Sequence, residues 1–310
     1  MLDRNIPIIT EQIISLKCGR NLAYSEYGLQ EGQPIIFFSG AGFGRHYIPT
    51  PFPHTIVAKH AVRFITVDRP GYGQSSPHSG RTYTDWVGDV VELMEDHLSL
   101  REARFLAHSA GTPHLAAVCA LAPDRVIAAS FVCPVSPITG KAPVDRPPEN
   151  FSRGCGRFCL LHCSGVLDRI FGSVFQKWQD NPTKYVNDSM TQILCQKDVA
   201  FMKEHADFQV QHAADFGDAV RAPNGVEAML EDMFHINQKP WEFRYSDVKT
   251  SNNNNNPIQV WWGGADDTAP HGKWICKQLG VEGECIIDAG HGLIHTEFDR
   301  IVDALLMVGS

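Results

Sequence analysis

The sequence predicts an α/β fold, a mostly parallel sheet flanked by helices, with a helical block inserted into it. Three observations carry this expectation. Short apolar runs alternate with amphipathic helical patterns between residues 34 and 134. From 139 to 245 that alternation stops, leaving helical patterns broken by Pro and Gly and no convincing strand. It then resumes from 257 to 308. Buried strands alternating with helices imply right-handed crossovers and parallel pairing. The flanks, 1–138 and 246–310, are therefore expected to form one core around an insertion at 139–245.

Taken in order, QIISLKC (12–18) and NLAYSEYG (21–28) are β-rich. PIIFFSG (34–40) and VRFITVD (62–68) read as buried strands, the second stopped by Arg69-Pro70-Gly71. Residues 82–98 place Val87, Val91, Met94 and Leu98 on one helical face, with Thr84 as the expected N-cap. ARFLAHS (103–109) is a strand, 111–123 a helix, and VIAASFVCP (126–134) a strand. PIQVWWGG (257–264), a helix near 271–280, ECIIDAG (284–290) and a helix over 297–308 complete the pattern, with eight strands in all. The asparagine run SNNNNNP (251–257) has nothing to pack and reads as a surface loop.

Composition limits the functional classes. The chain has 310 residues, 43% hydrophobic and 20% charged, with a formal charge of −8 that argues against nucleic acid or an anionic membrane as partner. No apolar run reaches the roughly 18 residues of a membrane span. The opening MLDRNIPIITEQ lacks a basic segment followed by an apolar core, so no secretory signal and a cytoplasmic location are expected. Nine cysteines, an odd number, fit reduced thiols better than a disulfide framework.

The chemistry centres on FLAHSAGTPH (105–114). A serine at the end of a strand, flanked by small residues before a helix, matches the sharp nucleophile turn G-x-S-x-G, here with Ala107 in the first glycine position and Gly111 in the second. Alanine adds only a methyl group, so the steric requirement survives. Taken alone, the fragment fits a helix-capping serine equally well. Two later stretches favour the nucleophile. VWWGGADDTAP puts Asp266 and Asp267 after one strand, and IIDAGHGLIH puts His291 after the next. Serine, acid and histidine at successive strand ends give the order in which histidine takes the serine proton and the acid holds the imidazole.

With LAYSEYG, PIIFFSGAGFG, VDRPGYGQSSP, AHSAGTP, GVEAMLEDMFHINQKPWEF, WWGGADDTAP and DAGHG, the chain resembles the α/β-hydrolase superfamily, specifically its cap-bearing, esterase-like branch, over about 21–135 and 225–308. The resemblance implies an α/β-hydrolase fold, with the insertion as a helical lid and Ser109, Asp266 and His291 as catalytic residues. Family spacing favours Asp266 over Asp267, since Gly263 precedes it by three and Pro270 follows by four. It also implies an oxyanion hole from the backbone N–H groups of Ala41 and Ala110. Ser39-Gly40 stands where the family carries His-Gly. Phe43 and His108 are candidate substrate contacts, although His108 also reads as a packing residue.

Other motifs carry less. GAGFG (40–44) resembles a dinucleotide fingerprint, but Arg45 occupies the last glycine position and HYIPTPFP follows instead of a helix start. His291 and His295 have zinc-helix spacing without the general-base glutamate. Cys155, Cys159 and Cys163 share a helical face without a CxxC pair and read as packing. Neither metal nor cofactor is expected. Asp68 reads as a loop cap. The insertion, with Phe158, Leu160, Leu161, Phe171, Phe175, Trp178, Met190, Met202, Met229 and Met233, predicts a roomy apolar pocket for a hydrophobic small molecule. The expected reaction is cleavage of a carboxylic ester or related acyl bond through an acyl-enzyme. Carbon–carbon hydrolysis of retro-Claisen type, or lyase or cyclase chemistry in secondary metabolism, is the alternative. A ligand-binding receptor on the same scaffold is a third reading. Oligomeric state is left open, a homodimer being compatible.

Overall fold

The structure is a computed structural model and describes residues 8–136, 162–249 and 258–307. Eight strands form one sheet: β1 (Ile8–Ser15), β2 (Asn21–Gly28), β3 (Gln33–Phe38), β4 (Val62–Val67), β5 (Ala103–His108), β6 (Val126–Val132), β7 (Ile258–Gly263) and β8 (Glu284–Ile286). Their spatial order is β1-β2-β4-β3-β5-β6-β7-β8. β2 runs antiparallel to both β1 and β4, and every other pair is parallel. From β3 the chain crosses to β4 on one side. From β5 it crosses to β6 on the other, so a crevice opens where β3 and β5 end side by side.

Alternation along the strands divides the core. Ile36, Phe38, Phe105 and Ala107 pack on one face beneath α2 (Tyr83–Glu92), α3 (Thr112–Leu121) and α9 (Ala269–Leu279). Ile35, Phe37, Leu106 and Val132 face the other way, against α1 (Pro53–His60) and α11 (Phe298–Met307). α3 is buried almost all round, which explains its unbroken apolar sequence.

Some local expectations shift. β1 begins earlier and ends at Ser15, because Leu16 and Arg20 close a turn through the Leu16 N–H and the Arg20 carbonyl. Helix α1 has no counterpart among the sequence-predicted elements. The N-cap of α2 is Thr82, not Thr84: Thr82 is extended, its hydroxyl accepts from the Asp85 N–H, and the Asp85 carboxylate accepts from the Thr82 N–H. β8 stops at Ile286, and residues 287–290 leave the strand but stay against the end of β7, where the Ala265 N–H donates to the Ala289 carbonyl at 3.0 Å.

Between β6 and β7 the described residues form helices and turns only: α4 (Ser164–Asp180), α5 (Pro182–Gln192), α6 (Gln196–Glu204), α7 (Ala206–Val220) and α8 (Gly225–Leu230), the last continuing through a turn at 231–238. Tyr185 and Phe216 stack 3.8 Å apart, with Phe43 edge-on to both, so aromatic rings join these helices to the loop after β3. Cys155, Cys159, Phe158, Leu160 and Leu161 lie outside the described residues, as does the asparagine run. The described cysteines are all free thiols. α10 (Leu293–Thr296) precedes α11, and no helix among the described residues is long and apolar enough to cross a membrane.

Candidate active site

Ser109 follows the last residue of β5 and takes φ +51°, a left-handed conformation that a serine adopts only under constraint. The constraint is the sharp reversal into the single turn Ser109–Gly111 that opens α3. The two small positions around it are not equivalent. Ala107 is completely buried within the sheet and its methyl group is accommodated. At Gly111 an added Cβ would lie 2.3 Å from the Phe38 carbonyl oxygen, so only glycine fits there.

His291 Nε2 lies 2.9 Å from Ser109 Oγ, and His291 Nδ1 lies 2.9 Å from Asp266 Oδ2. A carboxylate only accepts, so Nδ1 carries the proton and Nε2 is free to accept from the serine hydroxyl. Asp266 is the carboxylate that meets His291; Asp267 is exposed. Asp266 also accepts from the Thr268 N–H at 2.8 Å and hydroxyl at 2.7 Å. Burial opposes its charge, but the bonds from His291 and Thr268 outweigh that and hold the carboxyl well below the usual range.

Ala41 lines the cavity beside Ser109, and Ala110 is the next residue in the opening turn of α3. The loop carrying Ala41 is fixed at several points. Ser39 Oγ donates to the Phe43 carbonyl at 2.7 Å, so this serine closes the loop on itself. Arg69 donates to the Ser39 carbonyl at 2.7 Å and to the Gly40 carbonyl at 2.8 Å. Its remaining nitrogen, Nε, donates to Asp232 at 2.7 Å, and Arg81 pairs with the other oxygen of the same carboxylate. Asp232 is fully buried. Desolvation opposes its charge, but the two guanidinium groups prevail and keep it ionised well below the usual carboxylate range.

A second buried carboxylate from the inserted helices serves the histidine loop. Asp198, 1% exposed, accepts from the Gly290 N–H at 3.4 Å and the Gly292 N–H at 3.0 Å, on either side of His291. Sequence reasoning missed Asp198, Arg69 and Asp232 as site residues. The visible signals were the two quoted stretches that hold Arg69 and Asp232, DRPGYG and GVEAMLEDMFHINQKPWEF; Asp198 had none.

His108 lines the same cavity, and its Nε2–H donates to the His291 carbonyl at 3.1 Å. Burial beside His291 pushes it well below its ordinary value, so it stays neutral. Phe43 lines the cavity too and stacks 4.1 Å from Tyr47. Of the residues named for the insertion, Trp178, Met202, Met229 and Met233 reach the wall; Tyr185, Val186, Ile193, Leu194 and His212 also do, without having been named. The cavity measures about 210 Å³, tighter than the roomy pocket the apolar insertion suggests.

Two glycines of GAGFG, Gly42 and Gly44, are required by close packing, the first against the Phe216 ring. A Cβ on Gly44 would lie 2.1 Å from Asp68 Oδ1. Asp68 accepts from the Arg45 N–H at 2.8 Å and the Gln74 N–H at 3.0 Å, the loop-capping role its sequence position suggests. Cys133, Asp266 and His291 bring ligand atoms within 4.8 Å of one another. That set suits a metal poorly, because burial holds the Cys133 thiol protonated and the other two groups are bonded to each other.

A family model described as the alpha/beta hydrolase family matches residues 35–304, and the chain belongs to that family. Among curated relatives it is 32% identical over 126 residues to a non-heme chloroperoxidase of Streptomyces lividans, covering 40% of this chain and 45% of that one. It is 32% identical over 114 residues to the dihydrolipoyllysine-residue acetyltransferase component of the acetoin cleaving system of Pseudomonas putida, covering 37% and 30%. The chain thus spans less than half the length of either relative. Among solved structures, the enol-lactonase from Burkholderia xenovorans LB400 superposes with a TM-score of 0.64 at 17% identity, covering 95% of this chain and 99% of that one, a likeness of fold.

Proposed function

We propose that the protein is a serine hydrolase that cleaves a carboxylic ester or related acyl bond of a compact hydrophobic molecule. One observation carries the reading: the continuous hydrogen-bonded path from Ser109 Oγ through His291 to Asp266, on a serine held at positive φ at a strand end. In this reading Ser109 attacks the acyl carbon while His291 Nε2 takes its proton, and Asp266 holds the tautomer and stabilises the imidazolium. The leaving group departs with the proton from His291, and His291 then activates water to release the acyl-enzyme. The Ala41 and Ala110 N–H groups receive the developing oxyanion, each such donor contributing about 3–4 kcal/mol to the transition state. Phe43 and His108 form part of the wall against the substrate, and residues 139–245 act as a cap over the two-part core, 1–138 and 246–310.

A fluorophosphonate should label Ser109, and Ser109→Ala should abolish labelling and lower ester turnover by at least about 1,000-fold. Turnover that survives both the inhibitor and the substitution overturns the reading.

A further inference from the structure

The cavity wall is mostly apolar, yet three imidazoles outside the Ser109–His291–Asp266 path also line it. The Nε2–H of His108 is committed to the His291 carbonyl, which leaves His212 from α7 and His295 from α10. Their rings stand 5.2 Å apart and nearly perpendicular, at 85°. Both side chains are buried, with 7% and 8% exposure. His295 Nδ1 lies 3.2 Å from the Pro49 carbonyl. A carbonyl only accepts, so Nδ1 carries the proton, and in the neutral ring Nε2 offers a lone pair.

His212 is bound differently. Its Nδ1 is fully covered and has no hydrogen-bond partner among the described residues. A buried N–H without an acceptor is the rarer and costlier orphan, so the proton belongs on Nε2, the nitrogen left to reach the cavity. Burial, reinforced by His295 and His108, pushes His212 well below its ordinary value, and burial takes His295 down to about 4, so both rings are neutral at physiological pH. Phe43 packs 4.6 Å from the His212 ring and Tyr185 stacks at 6.3 Å, which fixes its position. If this wall only had to be apolar, phenylalanine would fill it without burying an unpartnered nitrogen.

One neutral donor and one neutral acceptor side by side match a group that both accepts and donates. We propose that His212 and His295 form a hydroxyl-recognising subsite, and that the substrate carries an alcohol or phenol hydroxyl besides its scissile acyl group. The hydroxyl donates to His295 Nε2 and accepts from His212 Nε2–H. This rests on the serine-hydrolase reading for the identity of the scissile group, but the subsite itself can be tested without turnover.

The kinetic test uses p-nitrophenyl esters of short acids with a hydroxyl at successive carbons, each paired with its methyl isostere. At one position the hydroxyl should raise kcat/KM about tenfold over the methyl partner. His212→Phe and His295→Phe should each bring that ratio to near one, and His212→Gln should retain part of it. A within-variant ratio cancels general losses of folded protein. The binding test uses Ser109→Ala and measures, by calorimetry, hydroxylated aryl ketones against their methylated counterparts, with and without His212→Phe. A hydroxyl preference that disappears with His212 supports the subsite even if no ester is hydrolysed, an outcome that would sink only the serine-hydrolase reading. Equal binding of each pair, or a preference that survives both Phe variants, overturns the subsite.

Discussion

The sheet and the inserted helices contribute to the site in different ways. The carboxyl edge of the sheet supplies Ser109, Asp266 and His291, one after each of three strands, with Gly40-Ala41 after a fourth. The insertion supplies none of these. It supplies two buried carboxylates, Asp198 and Asp232, which grip the loops on which those residues sit. In the proposed reading the reacting groups thus ride on strand ends, while the inserted helices hold the neighbouring loops in register. A corollary is that loosening the insertion should disturb positions in the site without changing its chemical groups.

The largest expected effect is on the sheet side. Asp266→Asn keeps the shape but cannot favour the Nδ1–H tautomer, so kcat should fall about 10,000-fold. Thermal stability should change far less than activity, which a melting curve beside a steady-state assay would show. Near-normal turnover would mean that Asp266 is not the acid and that the division drawn above is misplaced. On the insertion side, Asp232→Ala leaves Arg69 and Arg81 buried without their counter-charge. This should cost about 3–5 kcal/mol of stability in a denaturant titration. Asp232 is ionised well below the ordinary range, so its contribution is present above about pH 4 and is lost as the pH falls towards its folded value.

Asp198→Ala is smaller and more discriminating. It removes the acceptor of the Gly290 and Gly292 N–H groups and of the Cys195 N–H that opens α6, and should cost about 1–3 kcal/mol. If Asp198 positions His291, kcat should also fall while KM for a simple ester stays nearly constant. Loss of stability with unchanged kcat would reduce Asp198 to a packing role.

The same contrast explains what the sequence revealed. The core was legible because period-2 and period-3.6 patterns are local, and because Ser109, Asp266 and His291 each follow a strand that announces itself. The cap position of α2 was misread even though Thr82 and Asp85 spell a capping box. The holding residues were not legible. Asp198 sits in QKDVAFMKE, where its local role is to cap α6 through the Cys195 N–H, and its other partners lie 92 and 94 residues away. Asp232 meets Arg69 across 163 residues. His212, in the polar-looking stretch QVQHAADF, becomes notable only when α7 brings it beside His295. Side chains whose meaning depends on distant partners leave no periodic trace.

The smallest effect sharpens the comparison most, because it lies wholly inside the insertion. His235, three residues after Asp232, has Nε2 2.8 Å from Asp168 on α4 and Nδ1 3.3 Å from Glu231. The Glu231 and Asp168 bonds outweigh partial burial and raise it to about 9. The folded protein therefore holds this proton more tightly than the unfolded chain, whose histidines titrate near pH 6.5. The stabilisation is complete below about pH 6.5 and declines as pH rises through 9. With a third of the side chain exposed, solvent screening keeps it below about 1 kcal/mol. Melting temperatures between pH 6 and 10 should decline more steeply in the wild type than in His235→Gln, and the two curves should converge at high pH. Because this tether joins one inserted helix to another, the pH profile of kcat should be the same in both proteins. A shifted profile would show that the insertion acts on the Ser109–His291 chemistry directly, and not only by holding the loops that carry it.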